Sequence, residues 1–385
     1  MNWDTELEKV AAKTKYPIGD GDHGAIKPAC YQDHGVPYIR VADITWESQI
    51  VRSKMVYIPQ EVNEANPKSF LYPGDIVISK TGATIGKVAI IPDDIKIANT
   101  TASIGKVTLD TDLAIPKYVL WCMKSHQFQT QMWRVSHKSA QPGFNVKDLK
   151  KFKIPLPPLD QQKKIAAILD AADAYRQKTK ALITKYDALT QSLFLDMFGD
   201  PVSNPKGWES SKLGLIVENK DSKRKPVKSS DRENMDGDYP YYGASGIIDY
   251  VNWFTHEGDN LLIGEDGANL LARSKPIAFI AKGQYWVNNH AHVLGCNGKA
   301  LLVFIEFFIN LIDLSNYVTG SAQPKLNRKN MDQIKIFCPP IELQNQFADS
   351  VQAIEGQKGQ AQASLAQAED LFNSLLQRAF KGELV

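Results

Sequence analysis

The sequence contains one long segment twice, at a fixed offset of 182 residues. The string Ser139-Ala140-Gln141-Pro142 recurs as Ser321-Ala322-Gln323-Pro324. Composition alone does not align so long a run without a gap, so we expect the chain to fold as two copies of one structural unit. At the same offset, identical residues are found for Asn145, Lys147, Lys153, Ile154, Pro157, Pro158, Gln162, Ala166, Ala171, Leu189, Ser192, Leu193 and Phe198.

Each copy ends in a segment with the pattern of a single long helix. From Asp160 there is no Gly or Pro until Gly199, which predicts a helix of about 38 residues, or about 57 Å at 1.5 Å per residue. Apolar residues recur at alternating steps of three and four, the pattern of a coiled-coil seam, so each helix is expected to pack against the other. The predicted seam of the first helix is Ile165, Ile168, Ala172, Tyr175, Thr179, Leu182, Tyr186, Leu189 and Leu193, and that of the second runs from Phe347 to Ala379.

Upstream of each helix lies a more variable segment with the pattern of a β-rich globule. Strand-like runs at 75–79 and 87–91 flank a turn in the first segment, and runs at 260–263 and 276–280 do so in the second. Short helices are expected near 117–132 and 301–314. The predicted fold class is therefore α+β, with two mixed β-rich domains, two long helices and an internal repeat. Trp3 is similar in its surroundings to Trp208, and Asn99 is placed like Asn288 or Asn289.

Charge, cysteine spacing and apolar runs exclude several classes of protein. Lys plus Arg number 45 against 43 acidic residues, so the formal charge of +2 gives no global attraction to a polyanion. The apolar run 301–314 is too short for a bilayer of about 30 Å, and the acidic start of the chain does not resemble a signal peptide. We expect a cytoplasmic protein without a membrane segment. Its cysteines, expected to be reduced thiols, form no CxxC pair: Cys30, Cys122, Cys296 and Cys338.

No catalytic arrangement stands out in the sequence. The residues from Gly82 to Lys87 have neither the spacing nor the Ser or Thr of a phosphate-binding loop. The string Gly243-Ala244-Ser245-Gly246 lacks the spacing of a nucleophile elbow, and the Asn-Pro-Pro-Tyr or Asn-Pro-Pro-Phe of an amino methyltransferase is not found. Close histidine pairs lack a third metal ligand at suitable spacing. We therefore expect no catalytic residue, no metal and no cofactor.

In the order of its motifs the chain resembles one family, the specificity subunit of type I restriction-modification systems. The motifs are Pro37 to Ile44, Gly74 to Lys80, Gly86 to Ala89 and the two Pro-Pro helix entries that precede Gln162 and Gln344. The similarity covers nearly the whole chain. The second domain departs from the family pattern in the string from Gly258 to Gly267, where Gly-Glu replaces the more usual Ser-Lys or Ser-Arg.

The resemblance implies that each globule is a target-recognition domain for one half of a bipartite, asymmetric DNA site. It implies an antiparallel pair of helices between the domains, two adenine methyltransferase (modification) subunits bound to the assembly, and motor-nuclease (restriction) subunits that join for cleavage in phage defence. Two such domains on one face of B-DNA would lie about 34 Å apart, one helical turn. The expected boundaries are 1–157 and 200–339 for the domains and 158–199 and 340–385 for the helices.

DNA contacts require cations for phosphates and polar side chains for base edges, and we expect both in the loops. In the first domain the candidates are Arg40, Lys80, Thr81, Lys87, Asn99, Arg134 and Lys138. In the second they are Lys223, Arg224, Lys225, Arg273, Lys275, Asn288, Asn289, His290 and Lys325. The asparagines could pair with adenine or cap turns through their own backbone.

Two other functions are compatible with the sequence. One is a self-contained restriction or methylation enzyme, against which the missing motifs stand. The other is a coiled-coil scaffold whose globules bind protein, which the near-neutral net charge slightly favours. Salt dependence of DNA binding separates the second from a DNA reader.

Overall fold

The structure, a computed structural model, describes residues 2–136, 142–320 and 322–384. Its internal contacts divide the chain into two compact units. The first unit comprises Met1–Thr179 and Ser364–Val385, and the second comprises Lys180–Ala363. Each long helix therefore contributes one part to each unit.

The first unit is built from short strands and helices that lead into a long helix. Its strands are β1 Thr5–Glu6, β2 Ile18–Asp20, β3 Val36–Ile39, β4 Val56–Ile58, β5 Ile76–Ser79, β6 Val88–Ile90, β7 Asn99–Thr100, β8 Ile104–Val107 and β9 Lys153–Ile154. Its helices are α1 Gln60–Glu64, α2 Pro116–Lys124, α3 His126–Ser136, α4 Val146–Lys151 and the start of α5 Leu159–Phe198.

Strand β5 lies at the centre of the first unit because both of its faces are apolar. It pairs with β6 and β8 in a four-stranded sheet of order β2-β8-β5-β6. Ile76 and Ile78 face a core shared with α2, α3 and the long helices, whereas Val77 faces the opposite side with Ala89. A second sheet, β4-β3-β7, holds the parallel pair β3 and β7.

The second unit repeats this construction with longer strands. Its strands are β10 Ser210–Lys212, β11 Val217–Asn219, β12 Tyr239–Gly243, β13 Gly246–Val251, β14 His256–Glu257, β15 Asn260–Gly264, β16 Ala278–Ala281, β17 Gln284–Val287, β18 Ala291–Cys296 and β19 Lys335–Phe337. Its helices are α6 Leu213–Ile216, α7 Ser229–Arg232, α8 Asn269–Ala272, α9 Leu302–Leu311, α10 Arg328–Asp332 and the start of α11 Ile341–Lys381.

The strand order shows that the two globules are copies of one fold. The second unit has a four-stranded sheet β11-β18-β15-β16, matching β2-β8-β5-β6 position by position. It also has a sheet β13-β12-β17-β14, in which β12 and β17 are parallel like β3 and β7. The predicted α+β class with two β-rich domains is confirmed, and so are the predicted strands at 75–79, 87–91, 260–263 and 276–280, to within two residues at each end.

The long helices pack against each other within each unit. In the second unit Lys358 Nζ lies 2.6 Å from Asp187 Oδ1, and the rings of Phe194 and Phe347 lie 5.5 Å apart. The partner residue number falls as the α5 number rises, so these two segments are antiparallel. In the first unit the guanidinium of Arg176 lies 4.3 Å from the ring centre of Phe372.

The predicted seam is confirmed for α11 but is partly wrong for α5. Tyr175 and Leu189 are more than half exposed, and Leu182 is also exposed. The buried positions of α5 include Thr179, as the predicted seam has it, and also Thr190, which the predicted seam omits. Each threonine donates its hydroxyl to the carbonyl four residues earlier. Polar residues on the contact side can be tolerated where the hydroxyl is satisfied by its own helix, so hydrophobicity alone misplaced the seam.

Equivalent tryptophans close the helix ends in the two units. Trp208 Nε1 donates to the carbonyl of Phe198 at 2.9 Å, and Trp3 Nε1 donates to the carbonyl of Phe380 at 3.3 Å. Phe198 and Phe380 are themselves a repeated pair at the offset of 182. The likeness of Trp3 and Trp208 noted in the sequence therefore corresponds to a shared contact.

A repeated glutamine joins each globule to its helix. The amide N–H of Ile115 donates to Gln162 Oε1 at 2.9 Å, and that of Leu301 donates to Gln344 Oε1 at 2.9 Å. Both glutamines are fully buried and also donate to the carbonyl of a proline five residues earlier. We refer to this pair of contacts as the glutamine joint.

Candidate nucleic-acid interface

In the first unit the turn after β5 receives the segment that follows the repeated Ser-Ala-Gln-Pro string. Gly82 N donates to the carbonyl of Pro142 at 3.1 Å, and Phe144 N donates to the carbonyl of Lys80 at 3.2 Å. Thr81 forms an isolated bridge with Gly143 in the same place. The turn is thus held by backbone bonds, which leaves its side chains free to vary.

The second unit has the same hydrogen bonds after β15. Gly267 N donates to the carbonyl of Pro324 at 3.0 Å, and Leu326 N donates to the carbonyl of Glu265 at 2.7 Å. These bonds make Glu265 the structural counterpart of Lys80. The two domains therefore present opposite charges at one and the same place in the fold.

Lys80 is buried and neutralised by its own domain. Its Nζ lies 2.6 Å from Asp20 Oδ2, and His23 Nε2 lies 3.1 Å from Asp20 Oδ1. Burial alone would raise the pKa of Asp20, but the hydrogen bonds from Lys80 and His23 outweigh it and leave the pKa below its ordinary value. Because the ammonium group of Lys80 is buried and paired with Asp20, we do not include Lys80 in the exposed surface that could contact DNA.

The structure places Lys87 beside an exposed aromatic ring. Lys87 Nζ lies 5.8 Å from the ring centre of Trp46, which is exposed. Trp46 is in turn anchored by Lys124, whose Nζ donates to the Trp46 carbonyl at 2.6 Å. A cation beside an aromatic face is suited to a phosphate with a neighbouring sugar or base. Sequence reasoning missed Trp46, because nothing in the chain marked it as exposed.

The other predicted cations of the first domain differ in their availability. Arg40 is engaged, since its Nε and Nη2 both donate to the carboxylate of Asp43 at 3.0 Å, and Nη2 also donates to the carbonyl of Lys54. Arg134 is exposed in the last turn of α3. Lys138 lies outside the described residues.

Asn99 does not reach the surface, contrary to its predicted role in reading bases. It is fully buried, and its Nδ2 donates to Asn63 Oδ1 at 3.0 Å while its Oδ1 accepts from Thr100 N at 2.9 Å. It faces Tyr38 across the parallel pair, as Trp286 faces Tyr241. Its counterpart is therefore Trp286 rather than Asn288 or Asn289.

In the second unit, two of the cations predicted to contact DNA form ion pairs with Glu265. Arg224 Nη1 lies 2.6 Å from Glu265 Oε2, and Lys325 Nζ lies 3.1 Å from Glu265 Oε1. Burial alone would raise the pKa of Glu265, but Arg224, His292 and Lys325 outweigh it and hold the pKa below its ordinary value. Lys325 remains half exposed and can turn outward, whereas Arg224 is largely covered.

A buried charge network continues behind Glu265. Arg224 Nη2 lies 3.3 Å from Asp221 Oδ2, and His292 Nδ1 lies 2.7 Å from the same oxygen. His292 Nε2 lies 2.9 Å from the carbonyl of Leu326, so both ring nitrogens face acceptors. Burial would raise the pKa of Asp221, but the bond from His292 and the neighbouring cations lower it overall. None of these acidic partners was expected from the sequence.

The predicted polar triplet at 288–290 divides into one buried and two exposed residues. Asn288 is buried, and its Oδ1 accepts from the backbone N–H of His290 at 2.8 Å, the turn-capping alternative. Asn289 is exposed, and so is His290, whose Nδ1 lies 2.8 Å from Asp266 Oδ2. Asn289 and His290 are therefore available to a ligand, and Asn288 is set aside.

The remaining predicted DNA contacts of the second domain lie in two loops, one before α7 and one after α8. Lys223 and Lys225 are exposed, and the backbone of Lys225 is fixed because its carbonyl accepts from Trp286 Nε1 at 2.6 Å. Arg273 caps α9 by donating to the carbonyl of Ile312, and burial lowers its pKa. Lys275 is exposed two residues further on.

The described part of the chain has neither a cluster of metal ligands nor a membrane-spanning helix. Within 2–136, 142–320 and 322–384, no group of three or more His, Cys, Asp or Glu side chains could hold a metal ion. Among the helices described, none is long and apolar enough to cross a bilayer.

Known proteins resemble the chain in sequence and in structure. A family model described as the type I restriction modification DNA specificity domain matches residues 24–185 and again 205–364. The chain is 25% identical over 336 residues to the EcoprrI type I restriction enzyme specificity subunit of Escherichia coli, a match that covers 80% of this chain and 77% of that one.

A shorter stretch has higher identity. Over 131 residues the chain is 37% identical to a Haemophilus influenzae protein named as a candidate type I restriction enzyme specificity subunit, which covers 34% of this chain and 33% of that one. The crystal structure of the S subunit of a type I restriction-modification system from M. genitalium matches with a TM-score of 0.63 at 17% identity, over 99% of this chain and 96% of that one. At such identity the likeness shows the fold.

Proposed function

The chain belongs to the type I restriction-modification DNA specificity family, whose model matches it twice, and on that premise we propose that each of its globules reads one half of a bipartite, asymmetric DNA site. Specificity subunits are the noncatalytic component of such systems, which argues against a self-contained enzyme. One observation carries the proposal: the two globules share one strand order, whereas the residue after the central strand and its ion-pair partners differ, Lys80 with Asp20 in the first and Glu265 with Arg224 in the second.

The surface proposed for the first domain centres on Lys87 with the exposed ring of Trp46, and on Thr81 and Arg134. Lys87 supplies a charge to a phosphate, and Trp46 supplies an apolar face for the neighbouring sugar. Lys138 remains a prediction. Because Arg40 and Lys80 are bound to acidic partners in the free protein, they would contribute only if DNA replaced those partners.

The surface proposed for the second domain includes His290, Asn289 and Lys325, with Lys223 and Lys225 as phosphate contacts. The exposed polar groups can reach base edges, and Lys223 and Lys225 are exposed cations that can approach phosphates. Arg224 holds Glu265 and Asp221 in place and thereby supports the surface from below. Arg273 stabilises the end of α9, which leaves Lys275 as a peripheral candidate.

Partner binding is proposed for the exposed side of α5. In the part of α5 that belongs to the second unit, Leu182 and Leu189 lie seven residues apart and are exposed, a spacing at which a helix from another chain can pack. We propose that two methyltransferase subunits bind the repeated helices and that restriction subunits join this assembly. The boundaries proposed are 1–157 and 200–339 for the readers and 158–199 and 340–385 for the helices that set the spacer.

The test uses the chain assembled with modification (methyltransferase) subunits of a type I system. Methylome sequencing of unmodified DNA treated with the assembled complex should show methylated adenines in a bipartite motif. Exchange of residues 200–339 for those of a relative should change one half of the motif and leave the other half intact. Methylation by the chain alone, or a change in both halves, would contradict the proposal.

Salt dependence tests the alternative of a protein-binding scaffold, which the near-neutral net charge favours. If cations contact phosphates, the logarithm of the binding constant falls with the logarithm of the salt concentration, with a slope close to the number of contacts. A flat response of the assembled complex on duplex DNA would support the scaffold.

A further inference from the structure

The second domain carries an exposed apolar strand at the edge of a sheet. In the order β13-β12-β17-β14, strand β13 has a neighbour on one side only. Ile247 and Ile248 on this strand are 45% and 54% exposed, and Tyr250 is exposed as well. Edge strands usually carry charges or Pro that prevent association, so adjacent exposed isoleucines indicate a surface that something covers.

An irregularity in pairing sets the direction of these side chains. Asp249 faces Tyr241, but Ile247 faces the next residue, Tyr242, so Ile248 is the extra residue of a bulge. In regular pairing two successive side chains would point to opposite faces of the sheet. Bulges are common beside functional sites because they redirect a side chain. Here the bulge leaves both isoleucines in solvent.

The first domain has no such surface in the corresponding strand. The counterpart of β13 is β4, where Val56 and Tyr57 are half-buried and Ile58 is buried. A subunit that binds both repeats alike would require the same surface in each of them. The exposed apolar strand instead differs between two domains of the same fold, as is expected of a surface that recognises a different DNA sequence in each domain.

The charges at the two ends of β13 indicate which part meets DNA. The turn that begins β13 lies against Gly264, where an added Cβ would come within 2.7 Å of the Ala244 carbonyl. Gly264 is followed directly by Glu265, whose carboxylate is paired with Arg224 and Lys325. The opposite end of β13 adjoins a loop with exposed Asp236 and Asp238, since Gly237 packs against Asn252. A polyanion is repelled at the acidic end, so contact is confined to the end near the turn.

We propose that Ile247 and Ile248 contact the 5-methyl groups of thymine in the half-site read by the second domain, an inference that rests on the proposed function. The thymine methyl is the one apolar group that a base pair presents in the major groove, and apolar side chains recognise it. The adjacent Asn289, His290 and Lys325 would supply the polar contacts to the same stretch of DNA.

The experiment compares thymine with uracil, which lacks the 5-methyl group. The motif is first determined with the wild-type complex, and the half-site of the second domain is assigned by the exchange of residues 200–339. Duplexes with uracil at single thymine positions are then bound by the wild-type complex and by the Ile247→Ser and Ile248→Ser variants. Uracil should weaken wild-type binding about fourfold at each thymine whose methyl group one of the isoleucines contacts, the value of burying one methyl group. The variant at the contacting residue should bind both duplexes equally.

The matched control is Leu271→Ser, which replaces a side chain of the same domain that is 51% exposed elsewhere. It should retain the wild-type discrimination. A half-site without an A·T pair, equal binding of thymine and uracil by the wild type, or discrimination kept by both serine variants would overturn the inference. So would a dimer of the free chain that the serine variants abolish, which would assign the strand to a second copy. A wild-type complex that methylates no bipartite motif would refute the proposed function itself.

Discussion

Replacing the half-buried carboxyl of Glu306 by an amide should stabilise the protein above neutral pH. Glu306 lies on α9, and burial together with the nearby charge of Glu355 raises its pKa to about 7 from an ordinary value of 4.5. The residue in the corresponding turn of α2, counted from the glutamine joint, is Leu120, which is buried and uncharged. The second unit therefore carries an acid where the first has an aliphatic side chain.

The size of the effect follows from linkage between proton binding and folding. Below pH 4.5 both the folded and the unfolded chain bind the proton, and Glu306 adds no pH dependence. Between pH 4.5 and 7 only the folded chain retains it, so stability falls as the pH rises, and the loss is complete above pH 7. With about 1.4 kcal/mol for each tenfold change in proton affinity, the loss amounts to about 3 kcal/mol.

Urea unfolding of the full chain at pH 5 and pH 8 measures this loss. We expect Glu306→Gln to raise the free energy of unfolding of the second unit by about 2–3 kcal/mol at pH 8, and by much less at pH 5. Hydrogen exchange in 302–311 localises the change to α9. The exposed Glu257 provides the control, since Glu257→Gln should leave both values unchanged. Equal pH dependence of wild type and Glu306→Gln would refute the reasoning.

Three further substitutions test single contacts. Asn99→Ala should destabilise the first unit by about 1–3 kcal/mol, because it leaves the buried Thr100 N–H unpaired, while the DNA motif stays unchanged in methylome sequencing; a changed motif would restore Asn99 as a base contact. Gln344→Ala should lower the free energy of unfolding, measured with urea, by about 1–3 kcal/mol, because the backbone amide of Leu301 loses its acceptor. An unchanged free energy would show that the glutamine joint does not stabilise the protein. Lys325→Ala should lower the salt slope of DNA binding by about one, whereas an unchanged slope would exclude a phosphate contact.

The architecture was predictable because the positions of Gly and Pro and the offset between the repeats mark the long helices. Freedom from Gly and Pro between Asp160 and Gly199 marked the long helix, which begins at Leu159 and ends at Phe198. The face of α5 was harder to predict. Thr190, which the predicted seam omits, is buried with its hydroxyl bonded to its own helix, while Leu189, which the predicted seam includes, is exposed. A ranking by hydrophobicity reverses these roles.

The sequence predicted which types of residue form the candidate DNA surface, but not which of those side chains are exposed. Residue type alone identified cations and asparagines in loops as candidates. Three of them, Lys87, Asn289 and Lys325, remain in the proposed DNA surface. Whether a charge is exposed depends on acidic partners distant in sequence, such as Asp20 for Lys80. Such pairing arises only when strands are brought together, so a single sequence without a structure does not reveal it.

The glutamine joint sets a minimal requirement for anything that replaces a reader. Each helix packs against an apolar core of its globule, and its glutamine adds a hydrogen bond from one backbone amide, at Ile115 or at Leu301. A backbone amide is present whatever the side chain of that residue, so this hydrogen bond places no demand on the loops proposed to face DNA. New specificities can thus arise by recombination of whole globules, or by substitution in their loops, provided that the apolar residues packed against the helices are kept.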